Sequence, residues 1–154
     1  KYFHQWIGIN SRLDTMQAAI LLVKFKYLET WTLERQKKAE LYQLLFRDVL
    51  SSAYGLKLPT IQYQNRHIFH QYVIRVPERD QLKKFLSEGG IGTDIYYPLP
   101  LHLQECFSFL KYRRGDLPNS EKASEEVLAL PIYPELMEDQ QVAVVERIKA
   151  FYKK

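Results

Sequence analysis

The sequence contains little cysteine and glycine, and it has no long apolar run. Cys106 is the single cysteine among 154 residues, which excludes an internal disulfide and a zinc site built from several thiolates. The six glycines form neither a dinucleotide-binding loop nor the phosphate loop of nucleoside triphosphatases. No apolar stretch approaches the roughly 18 to 20 residues that cross a bilayer as a helix. The near absence of cysteine also favours a reducing compartment.

Charge is nearly balanced and is dispersed along the chain. Lysine and arginine total 22 against 18 acidic residues, a formal net charge of +4. Because the basic residues are scattered and form only short pairs, the pattern predicts no nucleic-acid partner. The hydrophobic content of 46% is enough for one domain, residues 1–154. The N-terminus lacks a charged region followed by an apolar one, so we expect a cytoplasmic protein without a membrane partner.

The segment from Gly8 to Ala19 carries an amide, Asn10, and a guanidinium, Arg12, at the start of a long amphipathic pattern. A helix start has free N–H groups and a partial positive charge, and a nearby arginine adds donors, so the segment predicts an anion site suited to phosphate. Ser11 and Asp14 have capping-box spacing, which predicts a helix beginning at Arg12 or Leu13. The alternative is that Asn10 only caps the helix and Arg12 only pairs with a surface carboxylate.

Apolar periodicity predicts an α+β architecture. Helical spacing covers residues 12–50 as one long helix or two, with a bend at the β-branched cluster Thr30 to Thr32. Alternation predicts strands at 70–76 and 91–96, and residues 130–134 are expected to be extended. Further helices are expected at 79–88 (stopped by Gly89-Gly90), 103–110, 120–128 and 138–152, the last burying Val142, Val145, Ile148 and Phe151.

The loop after the second predicted strand has the composition of a pocket rim. Tyr96 and Tyr97 precede Pro98 and Pro100, which fix the backbone, and His102 ends the same motif. The alternative is a rigid loop whose tyrosines pack on a neighbour. The sequence spacing of the histidines does not predict a metal site, and no convincing pair of nucleophile and base is present.

Five motifs in order resemble the DegT/DnrJ/EryC1/StrS sugar aminotransferases, across essentially the whole chain and over that family's C-terminal part only. They are Gly8-x-Asn10-Ser11-Arg12-Leu13-Asp14-x-x-Gln17-Ala18-Ala19, His70-Gln71-Tyr72, Gly90-Ile91-Gly92-Thr93, Tyr96-Tyr97-Pro98-Leu99-Pro100-Leu101-His102 and Leu130-Pro131-Ile132-Tyr133-Pro134. The resemblance implies the C-terminal small domain of a fold-type I transferase: a long N-terminal helix and a small, mostly antiparallel sheet covered by helices. Since the chain begins with Lys1 rather than methionine, we expect it to belong to a longer protein.

The resemblance also implies the cofactor, the partners and the site residues. The family uses pyridoxal 5'-phosphate to move an amino group, usually from glutamate, onto a keto nucleotide sugar in surface polysaccharide or natural-product biosynthesis, and its members are homodimers with shared sites. Asn10 would reach the cofactor phosphate in the partner's site, and Arg12 would approach the nucleotide diphosphate. Tyr96 and Tyr97 match a family pair, often histidine and tyrosine, that lines the sugar pocket, and His102 ends the same motif as a further candidate for substrate binding.

The lysine that forms a Schiff base with the cofactor lies upstream in the family. None of the 13 lysines here has that setting, so we expect no catalytic residue in this chain and no transamination by the chain alone. Two alternatives stay open. One is a non-catalytic module that binds a nucleotide sugar or a partner, and the other is a dehydratase relative in which histidine replaces the lysine.

Overall fold

Two helices separated by a short break form the N-terminal part of the fold. The computed structural model describes residues 2–47, 55–62 and 64–153, and in it α1 spans Thr15–Phe25 and α2 spans Leu28–Leu45. The break lies at Lys26 and Tyr27, so the bend expected at Thr30 to Thr32 is wrong. Thr32 fits inside α2 because its hydroxyl donates to the carbonyl of Leu28 at 2.8 Å. The predicted end at residue 50 lies outside the described residues.

The first helix begins later than the capping-box spacing predicts. Asp14 is itself the N-cap, and its Oδ1 accepts from the backbone N–H groups of Met16 at 2.8 Å and Gln17 at 3.3 Å. An N-cap side chain accepts from the backbone N–H groups two or three residues further along, so the first helical residue is Thr15. The expected start at Arg12 or Leu13 is therefore wrong, and residues 10–13 precede the helix without regular secondary structure.

The sheet consists of two antiparallel strands. Strand β1, Tyr72–Arg75, pairs with β2, Val127–Leu130, with Tyr72 opposite Leu130 and Arg75 opposite Val127. The strand expected at 91–96 is wrong, because only Asp94 meets the sheet, through one bridge to Ala129. The strand β2 instead begins where a helix was expected to run on to residue 128. Val127 has already turned to extended geometry, where its branched side chain is favoured.

Three more helices and two 3-10 turns complete the described chain. Helix α3 is Arg79–Glu88, α4 is Pro118–Glu126, α5 is Glu138–Tyr152, and the 3-10 turns are Leu101–Leu103 and Glu105–Leu110. Helix α3 ends as the glycine pair predicts: Gly90 has φ +76°, its N–H donates to Ser87 O, and the N–H of Ile91 donates to Leu86 O. This is a Schellman ending, which satisfies two terminal carbonyls.

The core lies between the sheet and helices α2, α3 and α5. Gln141, Val144, Val145 and Ile148 are the buried residues of α5, whereas Val142 is 41% exposed. The expected stripe is thus wrong at Val142, since packing on α2 and α3 turns the helix toward Gln141 and Val144. Among the described residues, none of the helices combines the length and apolar character needed to cross a bilayer. The largest fully buried side chains are Tyr42, Tyr72, Phe46, Ile74, Leu82 and Leu86.

Candidate functional site

Asn10 and Arg12 lie in the exposed segment before α1, which has no regular secondary structure. Neither side chain makes a hydrogen bond or ion pair within the described part of the chain, so their N–H groups are available to a ligand. The helix start itself is not available in the way predicted, because the Asp14 carboxylate takes the N–H groups of Met16 and Gln17. If the segment binds an anion, the free donors are therefore the side chains of Asn10 and Arg12, since Asp14 occupies these two N–H groups at the helix start.

Tyr96 and Tyr97 lie side by side in the loop that leaves the sheet at Asp94. The peptide bond between them is cis, Tyr96 is half-buried and Tyr97 is exposed. Both contribute to a cavity of about 440 Å³ between this loop and α4. The other lining residues are mostly apolar or small: Leu99, Pro100, Leu101, Ser120, Ala123, Ser124 and Val127.

Tyr96 also borders a second cavity, of about 340 Å³. Polar groups from two segments line this space, namely His70 and Gln71 ahead of β1, and Thr93 and Asp94 ahead of the loop. The Thr93 hydroxyl is buried and has no hydrogen-bond partner among the described residues. Tyr96 thus borders both a mostly apolar cavity and one that also presents polar groups.

His102 lies apart from the two phenols. It is buried in the first 3-10 turn, and its Nε2 is 3.0 Å from Oε1 of Glu121 in α4. It does not line the cavity beside Tyr96 and Tyr97. The structure therefore brings the two tyrosines together but places His102 in a buried polar pair, and its role in substrate binding stays a prediction.

Glu121 collects several hydrogen bonds at once. Besides His102, its carboxylate accepts from the backbone N–H groups of Gly115 at 2.8 and 2.9 Å and of Leu117 at 3.4 Å. Burial raises its pKa, but the hydrogen bonds from Gly115, His102 and Leu117 together outweigh burial and hold the pKa of Glu121 below its usual value. The pair fixes the turn before α4, which forms one wall of the apolar cavity.

Three residues next to the tyrosine pair, Tyr2, Asp94 and Gln104, make contacts that the sequence pattern did not predict. The ring of Tyr2 meets Tyr96 and Tyr97 edge-on, with ring centroids 6.1 and 5.5 Å apart, and its hydroxyl donates to Asp94 Oδ2 at 3.3 Å. Gln104 holds the backbone of Tyr2 and His4 from the other side. These contacts join positions about 100 residues apart, which no local pattern reveals.

The segment that carries Asn10 and Arg12 has an uncovered apolar surface. Ile9 is 95% exposed, Trp6 is 85% exposed, and α1 contains no buried residue. An apolar surface of this extent is typical of an interface with another domain or subunit. Its larger side chains are Phe3, Trp6, Ile9, Met16, Leu22 and Phe25. No group of three histidine, cysteine or acidic side chains suited to a metal occurs in the described ranges.

These features define a small α+β domain with an exposed segment that carries Asn10 and Arg12 and an aromatic loop that borders two cavities. The chain belongs to the DegT/DnrJ/EryC1/StrS aminotransferase family, whose pattern it matches over residues 1–149. That match confirms the resemblance drawn from the five motifs, and the two-stranded antiparallel sheet agrees with the expected α+β class.

Relatives from several bacteria share this region. The pleiotropic regulatory protein of Geobacillus stearothermophilus is 51% identical over 99% of the chain and 41% of its own length. A dTDP-3-amino-3,4,6-trideoxy-alpha-D-glucose transaminase of Micromonospora megalomicea is 38% identical over 92% of the chain and 38% of its own length. The crystal structure of S. venezuelae DesV, solved in complex with a ketimine intermediate, superposes with a TM-score of 0.85 at 32% identity, covering all of this chain and 40% of that one. The chain therefore spans about two fifths of the length of these relatives.

Proposed function

We propose that this chain is the C-terminal domain of a pyridoxal-phosphate-dependent aminotransferase that moves an amino group from glutamate to a keto nucleotide sugar. One observation supports this most directly: Asn10 and Arg12 are exposed donors on an apolar segment that nothing in the described chain covers. Family membership and the transaminase relative support the reaction class. The reaction would take place in the cytoplasm and supply surface polysaccharide or natural-product sugars.

The cofactor fits the donor set of the N-terminal segment. An amide and a guanidinium supply N–H donors for phosphate oxygens, and the nearest carboxylate in sequence, Asp14, is turned toward the helix N–H groups. Asn10 would hold the cofactor phosphate, and Arg12 would bind the diphosphate of the nucleotide. When bound, pyridoxal phosphate supplies the carbonyl that accepts and returns the amino group.

The tyrosine pair would bind the sugar. Phenol rings present an apolar face and a hydroxyl, which suits a deoxy sugar carrying few polar groups. Tyr97 is exposed and can reach a ligand directly, while Tyr96 lines both cavities. His102 would act on this pocket through the turn that it fixes with Glu121.

A homodimer with shared sites would explain why the donors stand on an uncovered apolar surface. Apolar side chains from Phe3 to Leu28 are exposed along one continuous stretch of chain. A second subunit seated there would bury the apolar side chains and receive Asn10 and Arg12 in its own site.

A non-catalytic binding module is the second candidate, and the regulatory name of the Geobacillus stearothermophilus relative favours it. Such a module would bind a nucleotide sugar or a partner protein through the same residues without turnover. The residue at the cofactor-attachment position upstream separates an aminotransferase from a dehydratase relative, because a lysine there permits transamination, whereas a histidine favours dehydration.

The test uses the whole protein loaded with pyridoxal phosphate. L-Glutamate should convert the cofactor from its aldehyde form to its amine form, which is followed by absorbance. In the reverse direction, dTDP-3-amino-3,4,6-trideoxy-α-D-glucose or a UDP-linked 3-amino sugar should do the same. No absorbance change with any amino donor contradicts the proposed aminotransferase, and sugar binding without turnover supports the second candidate.

A further inference from the structure

A buried glutamine joins the N-terminal segment to the tyrosine loop. Gln104 is 3% exposed and lies between the two 3-10 turns. Its Nε2 donates to the carbonyl of Tyr2 at 2.7 Å and of Leu99 at 3.4 Å, and its Oε1 accepts from the N–H of His4 at 2.9 Å. A side-chain amide offers two donors and an acceptor at one position, and all of these functions are used here.

The glutamine fixes Tyr2 on its backbone side, and Asp94 fixes the same residue at its hydroxyl. Asp94 is attached to the sheet. Its N–H donates to the carbonyl of Ala129 in β2 at 3.2 Å, and its carbonyl accepts from the N–H of Ala129 at 2.8 Å. The ring of Tyr2 is therefore held at both ends. It meets Tyr96 and Tyr97 with interplanar angles of 85° and 89°, the edge-to-face geometry that aromatic rings prefer.

We propose that Gln104 is a positioning residue of the sugar pocket: it holds Tyr2 against Tyr96 and Tyr97 and thereby sets the orientation of the phenol pair. The inference rests on the proposed function, since it takes these tyrosines as the sugar-binding pair. The bond to Leu99 O ties the chain just beyond the pair to the same amide, while Asp94, which precedes the pair, accepts from the Tyr2 hydroxyl.

The segment keeps another attachment when the amide is removed. The N–H of Cys106 donates to the carbonyl of His4 at 3.1 Å, independently of Gln104. A substitution that keeps the volume of Gln104 but removes its polar atoms should therefore loosen Tyr2 without detaching the segment. The effect should fall on sugar binding and leave the cofactor phosphate site at Asn10, several residues away in sequence, nearly unchanged.

The chain offers a matched control in Gln141. It is also a fully buried glutamine, and its Nε2 donates to the carbonyl of Lys38 at 2.8 Å, but it joins α5 to α2 in the core. Gln104→Met and Gln141→Met are compared in the whole protein with pyridoxal phosphate bound. Steady-state kinetics use the nucleotide sugar that the wild type turns over, and hydrogen exchange is measured on the peptides covering residues 2–14 and 94–101.

For Gln104→Met we expect the KM for the nucleotide sugar to rise about tenfold, with kcat and the cofactor dissociation constant within about threefold of wild type. Exchange in both peptides should be about tenfold faster. Gln141→Met should change none of these. Equal behaviour of the two variants, or unchanged exchange in Gln104→Met, overturns the inference. A wild-type protein inert toward every sugar and amino donor contradicts the proposed function instead, and exchange still decides whether the amide holds the segment.

Conservative substitution of Tyr2 gives a second test. Tyr2→Phe keeps the ring edge against Tyr96 and Tyr97, so its KM for the nucleotide sugar should lie closer to the wild-type value than the KM of Tyr2→Ala. Tyr2→Ala removes the ring and should reproduce the KM of Gln104→Met. If Tyr2→Ala leaves the KM unchanged, the ring does not orient the pair and the inference is wrong.

Discussion

His102 Nε2 lies 3.0 Å from Glu121 Oε1, and their side chains are 4% and 10% exposed. The same carboxylate binds the N–H groups of Gly115 and Leu117, so one acidic side chain ties the first 3-10 turn to the start of α4. Removing Glu121 would leave buried His102 and the N–H groups of Gly115 and Leu117 without this acceptor, whereas removing His102 would leave the carboxylate bonded to the two backbone N–H groups alone. This pair therefore determines how the wall of the apolar cavity sits relative to the loop that carries Tyr96.

Glu121→Gln should lower stability at neutral pH and flatten the acid dependence of unfolding. The pKa of Glu121 is lowered in the folded state, so the unfolded chain takes up this proton first as pH falls. The carboxylate therefore stabilises the fold above the ordinary glutamate pKa, and this stabilisation is lost as pH falls through the lowered value. Denaturant unfolding at several pH values measures it. Glu125→Gln, exposed on the same helix, is the control, and equal acid profiles for the two variants would contradict the prediction.

Asp14→Ala should destabilise α1, whereas Ser11→Ala should not. Asp14 accepts from two helix N–H groups, and loss of an N-cap costs about 1 kcal/mol, within a range of roughly 0.5 to 2. Helix content by circular dichroism and the unfolding free energy measure the change. A larger effect from Ser11→Ala would restore the capping-box interpretation.

Tyr72→Phe and Tyr42→Phe should have opposite effects on stability. Both phenols are fully buried and their rings lie 4.9 Å apart, but the Tyr42 hydroxyl donates to Pro131 O at 2.9 Å, while that of Tyr72 has no partner in the described chain. Burial raises the pKa of both. Tyr42→Phe should cost about 1 kcal/mol, and Tyr72→Phe should be neutral or stabilising by up to about 1 kcal/mol. Urea unfolding of both variants measures the free energy of unfolding. A loss for Tyr72→Phe comparable to that for Tyr42→Phe would show that the Tyr72 hydroxyl has a hydrogen-bond partner.

Gly90→Ala should destabilise α3 by about 1 to 2 kcal/mol, because Gly90 has φ +76° and a side chain in that left-handed region meets the following carbonyl. Gly92→Ala is the control, since its φ is not positive and no atom lies within 4 Å of an added Cβ. Thermal unfolding compares the two variants. Equal midpoints would mean that the Schellman ending does not require glycine.

Asn10→Ala in the whole protein should raise the dissociation constant for pyridoxal phosphate about tenfold, as expected when one hydrogen bond to a charged group is lost. Asn119→Ala changes an exposed asparagine in α4 and should have no effect. Titration of the apoprotein followed by absorbance provides the measurement. Unchanged affinity in Asn10→Ala would remove this residue from the site.

Local patterns predicted the elements that depend on neighbouring residues. The bounds of α3 follow from its apolar spacing and from the glycines that stop it, and α5 follows from its own periodicity. Strand β2 was missed because its partner, β1, is distant in sequence, while residues 120–128 include good helix formers. Pairing with β1 turns Val127 out of the helix, which is a tertiary effect that propensity cannot anticipate.

The residues of the candidate site likewise fall into those that local motifs indicated and those whose contacts depend on the fold. Asn10, Arg12, Tyr96 and Tyr97 could be proposed from motifs, because each lies in a short segment of unusual composition. Tyr2, Asp94 and Gln104 could not, since their contacts depend on the path of the folded chain. His102 belonged to the motif, but its pairing with Glu121 depends on α4 and was not predictable from spacing.

The absence of any buried residue in α1 means that its helical state has little support from the rest of the described domain. Helices of 11 residues are marginal in water, and this one packs no side chain into the core. Its melting should therefore precede that of α2 to α5 unless another surface encloses it, so the order of the segment that follows Asn10 and Arg12 would report directly on assembly.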